Sequence, residues 1–461
     1  MKRLSALIFV AIASIFILAS CKGNEKTITL NVYNWGEYIS DGSDGSYDTN
    51  AEFEEYFNTY LSEKYGGVKV KVNYTNYPTN EDMYSKLKSG SGSYDVICPS
   101  DYMIEKLIAE DMLLPLNWDG LKGESYRESL NPDYTGNSFD PEDKYSVPYT
   151  YGRTGIIYNT TMVDEEDING SWSLLWNPKY KGKILQFNNP RDAFGTAMYW
   201  KNIDINSTDS ADWDEALELL KEQKPYLQGY VNDEIFDKMT GESAAIATYF
   251  VGDFVTMYSK NDDLAFYYPK EGTNVFVDAF CIPTSAKNPD IAMEYINFML
   301  SPDTAIANAT YLGYSSPSRY VYDPEGAPEY AEYNEQYFES LVYDFFLDAE
   351  DEENPTDEEI ALAEEKAEMI FALLYESDLD FEYSHNPIYE NFTPEIQRYT
   401  NSLWEELKIY GTSDPWVHIT SGAIILGVLF WAIYSLVIKK KRSKFYRVRD
   451  KELKKAKAEN N

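Results

Sequence analysis

Trp35, Glu37 and Tyr38 place two aromatic rings and a carboxylate within four positions, a combination that suits a cation. Aromatic faces attract an ammonium group through the ring quadrupole, and a carboxylate neutralises its charge. The preceding residues, 28–33, alternate apolar and polar side chains as a β-strand does, and Gly36 interrupts the run. In open α/β sheets, ligands bind beyond the carboxyl ends of the strands. The stretch therefore predicts one wall of a cation site; by itself it leaves open a core tryptophan beside a surface Glu and Tyr.

Other polar and aromatic residues follow further predicted strands. The groups are Ser100 and Tyr102 after the strand at 94–98, Asn189 and Asp192 after the strand at 182–187, Tyr249 at the end of the apolar run 243–249, and Phe276 and Asp278 on one side of the strand at 274–282. Apolar-periodic stretches typical of helices alternate with these strands, at 51–64, 79–89, 103–110, 212–221 and 289–300. The alternation favours an α/β fold with a mostly parallel sheet covered by helices. We expect the strand ends to meet at one cleft.

The bulk composition narrows the possible functions. The chain has 461 residues, too many for one ordinary domain, and a formal net charge of -37. Nucleic acid is disfavoured as a partner because phosphate binding needs basic patches, whereas a cationic ligand is favoured. The 2 histidines give little support to a histidine metal site or a Ser-His-Asp triad. Carboxylates are abundant, so a glycosidase-type pair stays open as an alternative.

The three cysteines have different explanations. An apolar run at 4–18 follows two basic residues and ends in two small residues and Cys21. This order is similar to a bacterial lipoprotein signal and predicts a signal peptide at 1–20 and a lipid on Cys21; an ordinary secretory signal cleaved near Ala19 is the alternative. Cys98 and Cys281 each lie in an apolar, strand-like run, which favours two buried thiols over a disulfide.

The C-terminal region has the pattern of a membrane anchor. Residues 416–438 are almost all apolar, about the length that spans a bilayer, with aromatic residues near both ends. Basic residues follow at once. The pattern predicts a transmembrane helix at 417–438 and a basic cytoplasmic tail at 439–461, with the large N-terminal part outside. The tail is expected to contact anionic lipid or a membrane partner, or to be a solvated stop-transfer segment.

The order of motifs resembles one known family, the bacterial extracellular solute-binding proteins of the spermidine/putrescine-binding type, the receptors of polyamine ABC importers. The match runs from about residue 27 to residue 411 and is loosest in a strongly acidic helical segment at 325–383. The stretches that carry it are 33–38, 83–88, 94–100, 145–149, 176–182, 276–283, 286–288, 296–298 and 312–314. One such stretch would be weak evidence, but their shared order over most of the chain is specific.

The resemblance implies a two-lobed periplasmic-binding-protein-like fold of type II, with a ligand cleft between the lobes. The first lobe is expected at 27–151 and 279–324. The second is expected at 152–278 and 325–411, the latter with the acidic helical insertion. No chemistry is assigned to the insertion, because charge runs usually mark solvated faces.

The resemblance also implies roles for individual residues. By analogy, the first lobe contributes to the cleft Trp35, Glu37, Tyr38, Ser100 and Tyr102. Asp192 replaces a Glu that holds an amine, and Asp278 matches the Asp that pairs with a terminal ammonium. Tyr249 and Phe276 replace Trp side chains that stack on the alkyl chain, and Tyr314 matches a cleft Tyr. Two positions depart from the family. Gly36 stands where a hydroxyl residue is common, and Asn189 stands where the family can have an Asp that binds a central amine. The second departure predicts a preference for a diamine such as putrescine over spermidine.

The expected partners follow from the same resemblance. They are a polyamine and the permease subunits of an ABC transporter, with the protein held at the extracytoplasmic face of the membrane, in the periplasmic space or at the cell surface. A monomer without cofactor, metal or enzymatic activity is expected. Another small ligand, such as an amino-acid-derived cation or a sugar, and a sensor role stay open as alternatives.

Overall fold

The computed structural model describes residues 26–347, 355–375, 379, 381–383, 385 and 387–411. The sheet and the site discussed below lie within one compact unit of the chain, which ends at Thr400. The predicted signal peptide with Cys21, the predicted transmembrane helix at 417–438 and the basic tail lie outside the described residues. Among the described residues, no helix combines the length and apolar character needed to cross a bilayer.

Nine strands in the described residues form one sheet. They are β1 (Thr27–Asn34), β2 (Lys69–Asn76), β3 (Val96–Ile97), β4 (Ser146–Asn159), β5 (Ile184–Phe187), β6 (Leu227–Val231), β7 (Ile246–Phe250), β8 (Leu264–Tyr267) and β9 (Val275–Cys281). The α-helices of the same residues are α1 (Thr49–Tyr56), α2 (Asn80–Ser89), α3 (Asp101–Ala109), α4 (Pro190–Trp200), α5 (Ser210–Gln223), α6 (Glu234–Thr240), α7 (Val251–Tyr258), α8 (Pro289–Met299), α9 (Pro302–Leu312), α10 (Ala331–Ser340), α11 (Asp357–Tyr375) and α12 (Pro394–Ile409). Strands and helices alternate as the sequence pattern predicts, which confirms the α/β class.

The sheet is mixed rather than mostly parallel. Its order is β2-β1-β3-β9-β4-β7-β5-β6, with β8 paired to β4. The outer pairs β1/β2, β1/β3, β5/β6 and β5/β7 are parallel, but β9 and β4 run antiparallel to their neighbours. The prediction of a mostly parallel sheet was therefore wrong for the central strands. The local pattern of apolar residues does not show whether a strand runs parallel or antiparallel to its neighbour in the sheet.

Strand β4 joins the two halves of the sheet. Its first part, to Arg153, pairs with β9, and its second part, from Thr154, pairs with β7 and β8. The lobe boundary expected between residues 151 and 152 falls within this one continuous strand. A second crossing lies beside it, because the Tyr151 N–H donates to the Ser315 carbonyl over 3.0 Å. The lobe boundaries stay predictions.

The first half of the sheet has a core of large apolar side chains. In β1, Leu30 and Val32 are fully buried, and Phe53 and Phe57, one helical turn apart, pack against the same cluster. The predicted helix at 51–64 is regular only to Tyr56, and a π turn and a 3-10 turn complete it. This packing fixes β1, and therefore the position of the residues that follow it.

Cys98 and Cys281 are buried free thiols, which confirms the preferred prediction. They are near neighbours in the sheet, because Cys281 pairs with Ile97 of β3. Only Cys98 belongs to the apolar cluster of the first half. A small apolar side chain is what both positions need.

Candidate cation-binding site

Asp278 is a buried carboxylate at the junction of the two halves of the sheet. It lies on β9 opposite Thr150 of β4 and is 5% exposed. Its Oδ2 accepts a hydrogen bond of 2.6 Å from the Tyr38 hydroxyl, whereas its buried Oδ1 has no hydrogen-bond partner among the described residues. Burial raises its pKa to about 6, and the hydroxyls of Ser100 and Tyr38 lower it. The geometry leaves one carboxylate oxygen facing no donor.

Tyr38 is the residue of the opening stretch that reaches this carboxylate. Its hydroxyl also lies 2.6 Å from Thr150 Oγ1, and its carbonyl accepts a bond of 3.0 Å from the Tyr149 hydroxyl. Burial, with the charge of Asp278, raises the pKa of Tyr38 well above its ordinary value, so the hydroxyl stays protonated and donates. The edge-to-face contact with Tyr314, at 5.7 Å between ring centres, continues the aromatic wall.

Trp35 and Glu37 lie differently from Tyr38. Trp35 is half-buried and its ring packs against Tyr77, at 4.6 Å between centres. Glu37 is exposed and has a left-handed backbone with φ of 47°, a conformation that non-glycine residues adopt rarely. The structure therefore groups Tyr38 with Asp278 and leaves Glu37 at the rim.

Asp253 is a second carboxylate beside these rings, half-buried, which the sequence reasoning did not select. It lies in α7, and its Oδ2 accepts a hydrogen bond of 2.7 Å from the Tyr314 hydroxyl. Burial raises its pKa to about 7, Tyr314 lowers it, and the charge of Asp233 raises it further. A Cβ on Gly252 would overlap the Tyr314 ring, so glycine is required for this approach. Tyr38 thus presents its hydroxyl to the buried carboxylate of Asp278, and Tyr314 presents its hydroxyl to the half-buried carboxylate of Asp253.

Aromatic rings line the space beside these carboxylates. Phe276 lies 6.0 Å from Tyr314 and 5.2 Å from Phe250, measured between ring centres. The predicted Tyr249 is buried and stacks on Phe187 at 5.3 Å, and nearby acids that include Asp253 help to raise its pKa. Phe250, the residue after it, is the ring that contacts Phe276 and was missed. The available signal was the run 249–253, which places two rings and an acid at a strand end as the opening stretch does.

The remaining predicted residues form an adjoining group. Tyr102 donates to Glu81 over 3.1 Å, and the Arg191 guanidinium lies over the Tyr102 ring at 5.6 Å. Asn189 caps α4: its oxygen accepts from the Asp192 N–H over 2.9 Å, and its amide donates to the Asp192 carboxylate over 2.7 Å. Burial raises the pKa of Asp192, while Asn189, Tyr389 and Arg191 lower it.

Ser100 connects the two groups. It forms an isolated bridge with Asp278, and its side-chain oxygen accepts from the Asn80 amide over 3.1 Å. The adjoining group already contains a cation, Arg191, whereas among the described residues no Lys or Arg forms an ion pair with Asp278 or Asp253. Within the part of the chain that the structure describes, these two carboxylates thus have no counter-ion from the protein.

Other buried acids in the chain are satisfied differently. Asp95 accepts three backbone N–H groups, from Asn31 at 2.9 Å and from Lys287 and Asn288 at 2.8 Å. Asp140 holds its own loop through backbone bonds in the same way. Backbone donors stabilise a buried charge permanently, whereas Asp278 and Asp253 have tyrosine hydroxyls and burial without a counter-charge, which is costly. The contrast separates two acids suited to a cation from acids that hold the fold.

A surface cavity of about 350 Å³ lies elsewhere, lined among others by Trp118, Arg127 and Arg319. Its two arginines do not suit a cation. In the part of the chain that the structure describes, no group of three or more His, Cys, Asp or Glu side chains is placed to hold a metal ion.

Comparison with known proteins adds independent information. Residues 51–336 match the family model described as bacterial extracellular solute-binding protein. The chain is 31% identical over 303 residues to the spermidine/putrescine-binding periplasmic protein of Escherichia coli, covering 65% of this chain and 81% of that relative. It is 28% identical to a putrescine/cadaverine-binding protein of Pseudomonas aeruginosa, covering 63% of this chain and 79% of that relative.

Solved structures agree with this match. The spermidine/putrescine ABC transporter substrate-binding protein of Streptococcus pneumoniae superposes with a TM-score of 0.60 and 31% identity, covering 83% of this chain and 99% of that chain. A putative spermidine/putrescine ABC transporter from Listeria monocytogenes superposes with a TM-score of 0.61 and 30% identity, again covering 83% of this chain and 99% of that chain. The periplasmic-binding-protein-like fold expected from the sequence is confirmed by these two superpositions.

The raised pKa values predict how stability depends on pH. The pKa of Asp278, about 6, and of Asp253, about 7, lie above the ordinary value of 3.8, so between those values the folded protein binds protons that the unfolded chain has released. Stability therefore falls as the pH rises from about 4 to about 7. Over this pH window the free energy of unfolding should decrease in both proteins. We expect the decrease in Asp278→Asn to be smaller than the decrease in the wild type by about 2 to 3 kcal/mol. Urea unfolding of the ligand-free proteins at several pH values measures the difference, and parallel curves would contradict the assignment.

Proposed function

The chain belongs to the bacterial extracellular solute-binding proteins of the spermidine/putrescine-binding family, and from that premise we propose that it is the polyamine receptor of an ABC importer. The observation that carries the proposal is the unpartnered Oδ1 of buried Asp278 beside a wall of aromatic rings. Family membership also decides against the alternative of a glycosidase-type enzyme, because proteins of this family are solute receptors. It is accordingly an extracytoplasmic protein.

A polyamine fits the chemistry of this site. Its ammonium ends need carboxylates and hydrogen-bond acceptors, and its methylenes need apolar surface. Asp278 and Asp253 supply charge, and Phe276, Phe250 and Tyr314 supply rings within contact distance of one another. An ammonium bound at Asp278 would gain a charge-assisted bond at the oxygen that lacks a donor.

Ligand binding is coupled to closure of the cleft. The Tyr314–Asp253 hydrogen bond joins a residue that follows α9 to a residue that follows β7. A diamine that engages Asp278 and Asp253 together would favour the arrangement in which these groups are close, and so shift the population toward the closed form. The closed form is the one that a permease would recognise.

Substitution of Asp278 tests the proposed site. In Asp278→Ala we expect putrescine affinity to fall at least about 100-fold, because removal of one partner of a buried charge pair costs about 3–5 kcal/mol. Isothermal titration calorimetry on the purified full-length protein measures the loss, and thermal unfolding reports whether the fold survives.

Asp140→Asn is the matched control, since it changes a buried carboxylate that holds only its own loop. It should bind putrescine as the wild type does. Wild-type affinity in Asp278→Ala would remove the central claim about the site.

The second part of the proposal concerns the length of the ligand. Asn189 is occupied as the cap of α4, with both side-chain atoms bonded to Asp192, and Arg191 already supplies a cation beside that carboxylate. The acids left for ligand cations are Asp278 and Asp253. Two acids match the two ends of a diamine, whereas the central amine of spermidine would have no carboxylate.

The wild type should therefore bind putrescine more tightly than spermidine, by about tenfold, which corresponds to about 1.4 kcal/mol. Competition calorimetry with both ligands measures the ratio. Asn189→Asp adds a carboxylate where the family can have one and should raise spermidine affinity selectively. Clearly tighter spermidine binding by the wild type would refute the diamine preference.

The third part concerns attachment to the membrane. The sequence patterns at Cys21 and at 417–438 support two anchors, a lipid and a helix, which would hold the receptor beside its permease. The basic residues at 439–461 support a cytoplasmic end for the helix.

Cells given a radiolabelled fatty acid test the lipid. The wild type should incorporate the label and Cys21→Ser should not, and both should remain in the membrane fraction through the helix. Equal labelling of the two proteins would exclude Cys21 as the acceptor.

A further inference from the structure

Asp101 is a fully buried carboxylate next to the proposed site, and its hydrogen bonds go to backbone N–H groups. It is the first residue of α3 and is 0% exposed. One oxygen accepts the Tyr102 N–H over 2.6 Å, and the other accepts the Val277 N–H over 3.2 Å. Val277 directly precedes Asp278. Asp101 thus connects the start of a helix to the backbone that carries the ligand-binding acid.

The neighbours of Asp101 hold the same short piece of β9. The Ala279 N–H donates to the Pro99 carbonyl over 3.1 Å, and Ser100 bridges to Asp278. Three consecutive residues, 99–101, therefore contact three consecutive residues, 277–279. This is an attachment on both sides of Asp278.

The strand needs such an attachment at this point. The pairing of β4 with β9 is irregular between Pro148 and Thr150, and Thr150 is the partner of Asp278. Proline has no N–H to donate, so the ladder between the strands is interrupted beside the acid. The backbone at Asp278 is less constrained by its sheet neighbour than the rest of β9 is.

We propose that Asp101 is a positioning residue for ligand binding, which holds Val277 so that the Asp278 carboxylate stays directed at Tyr38 and at the bound cation. The proposal rests on the proposed function. Asp101 acts through the backbone of β9 and through its charge, and it does not touch the ligand.

The charges around Asp101 give a readout that a purely structural role would lack. Burial raises its pKa to about 8, the two backbone donors lower it, the Asp278 charge raises it and Arg191 lowers it. A cation bound at Asp278 cancels the charge that opposes ionisation of Asp101. Binding therefore releases a proton, and affinity should rise with pH as the pH approaches about 8.

The test is the isosteric variant Asp101→Asn, in the full-length protein. The amide presents one oxygen instead of two and cannot ionise. We expect putrescine to bind at least about tenfold more weakly at pH 7. We also expect the rise in affinity between about pH 7 and about pH 8.5 to be smaller than in the wild type. Calorimetry across that range measures both.

Asp95→Asn is the matched control. Asp95 is also a buried carboxylate of the same half of the sheet and holds backbone N–H groups of 31, 287 and 288. It should lose stability without loss of affinity or change of pH profile. If Asp101→Asn does not fold, Asp101→Ser, which keeps a short acceptor, replaces it.

Any other outcome of these measurements contradicts either the positioning role of Asp101 or the proposed function. Unchanged affinity and pH profile in Asp101→Asn, or an equal loss in Asp95→Asn, would overturn the positioning role while leaving the receptor function in place. A wild type that binds no polyamine would overturn the proposed function. The positioning role is then decided by a crystal structure of Asp101→Asn, in which unmoved Val277 and Asp278 would refute it.

Discussion

The buried carboxylate of Asp278 is the constraint on which the rest of the site depends. Removing a charge from water is costly unless a counter-charge or a full set of donors replaces the lost hydration. Asp278 has the Tyr38 hydroxyl as the donor to one oxygen and no hydrogen-bond partner for the other among the described residues. Its environment therefore tolerates the neutral form better than the charged form until a cation arrives. The same logic applies to Asp253, so in the proposed site the affinity for a cation would come from charge that the fold leaves uncompensated.

The position of this charge follows from the crossing strands. Asp278 lies on β9, opposite β4, at the point where β4 changes partners between the two halves of the sheet. Tyr38 reaches it from the end of β1. Phe250 is the last residue of β7, and Asp253 lies in the first turn of α7. A ligand bound in the proposed way would touch groups from both halves. Binding and closure would then share the same contacts, without a separate signal between distant sites.

Part of this arrangement was predictable from sequence, and part was not. Strand periodicity located β1 and β9, and residue types at their ends indicated a cation, so Tyr38 and Asp278 could be named. The bond between Asp253 and Tyr314 joins residues 61 positions apart, on elements whose pairing no local pattern encodes. The irregular pairing beside Thr150, and with it the role of Asp101, depends on how β4 meets β9. Glu37 has the right chemistry, but its left-handed backbone is a property of the turn and not of the residue type.

The two tyrosines explain how such a site stays folded without ligand. Each donates its hydroxyl to a carboxylate that is buried or half-buried, and this is a partial substitute for an ammonium: it supplies a hydrogen bond but no charge. Burial keeps the pKa of both hydroxyls well above the ordinary value, so they remain donors throughout the physiological range. An ammonium bound in the proposed site would find acceptors already oriented and would add the missing charge. A lysine at either tyrosine position would complete the charge pair permanently and leave nothing for the ligand to supply, so a neutral donor is the residue that a reversible receptor requires.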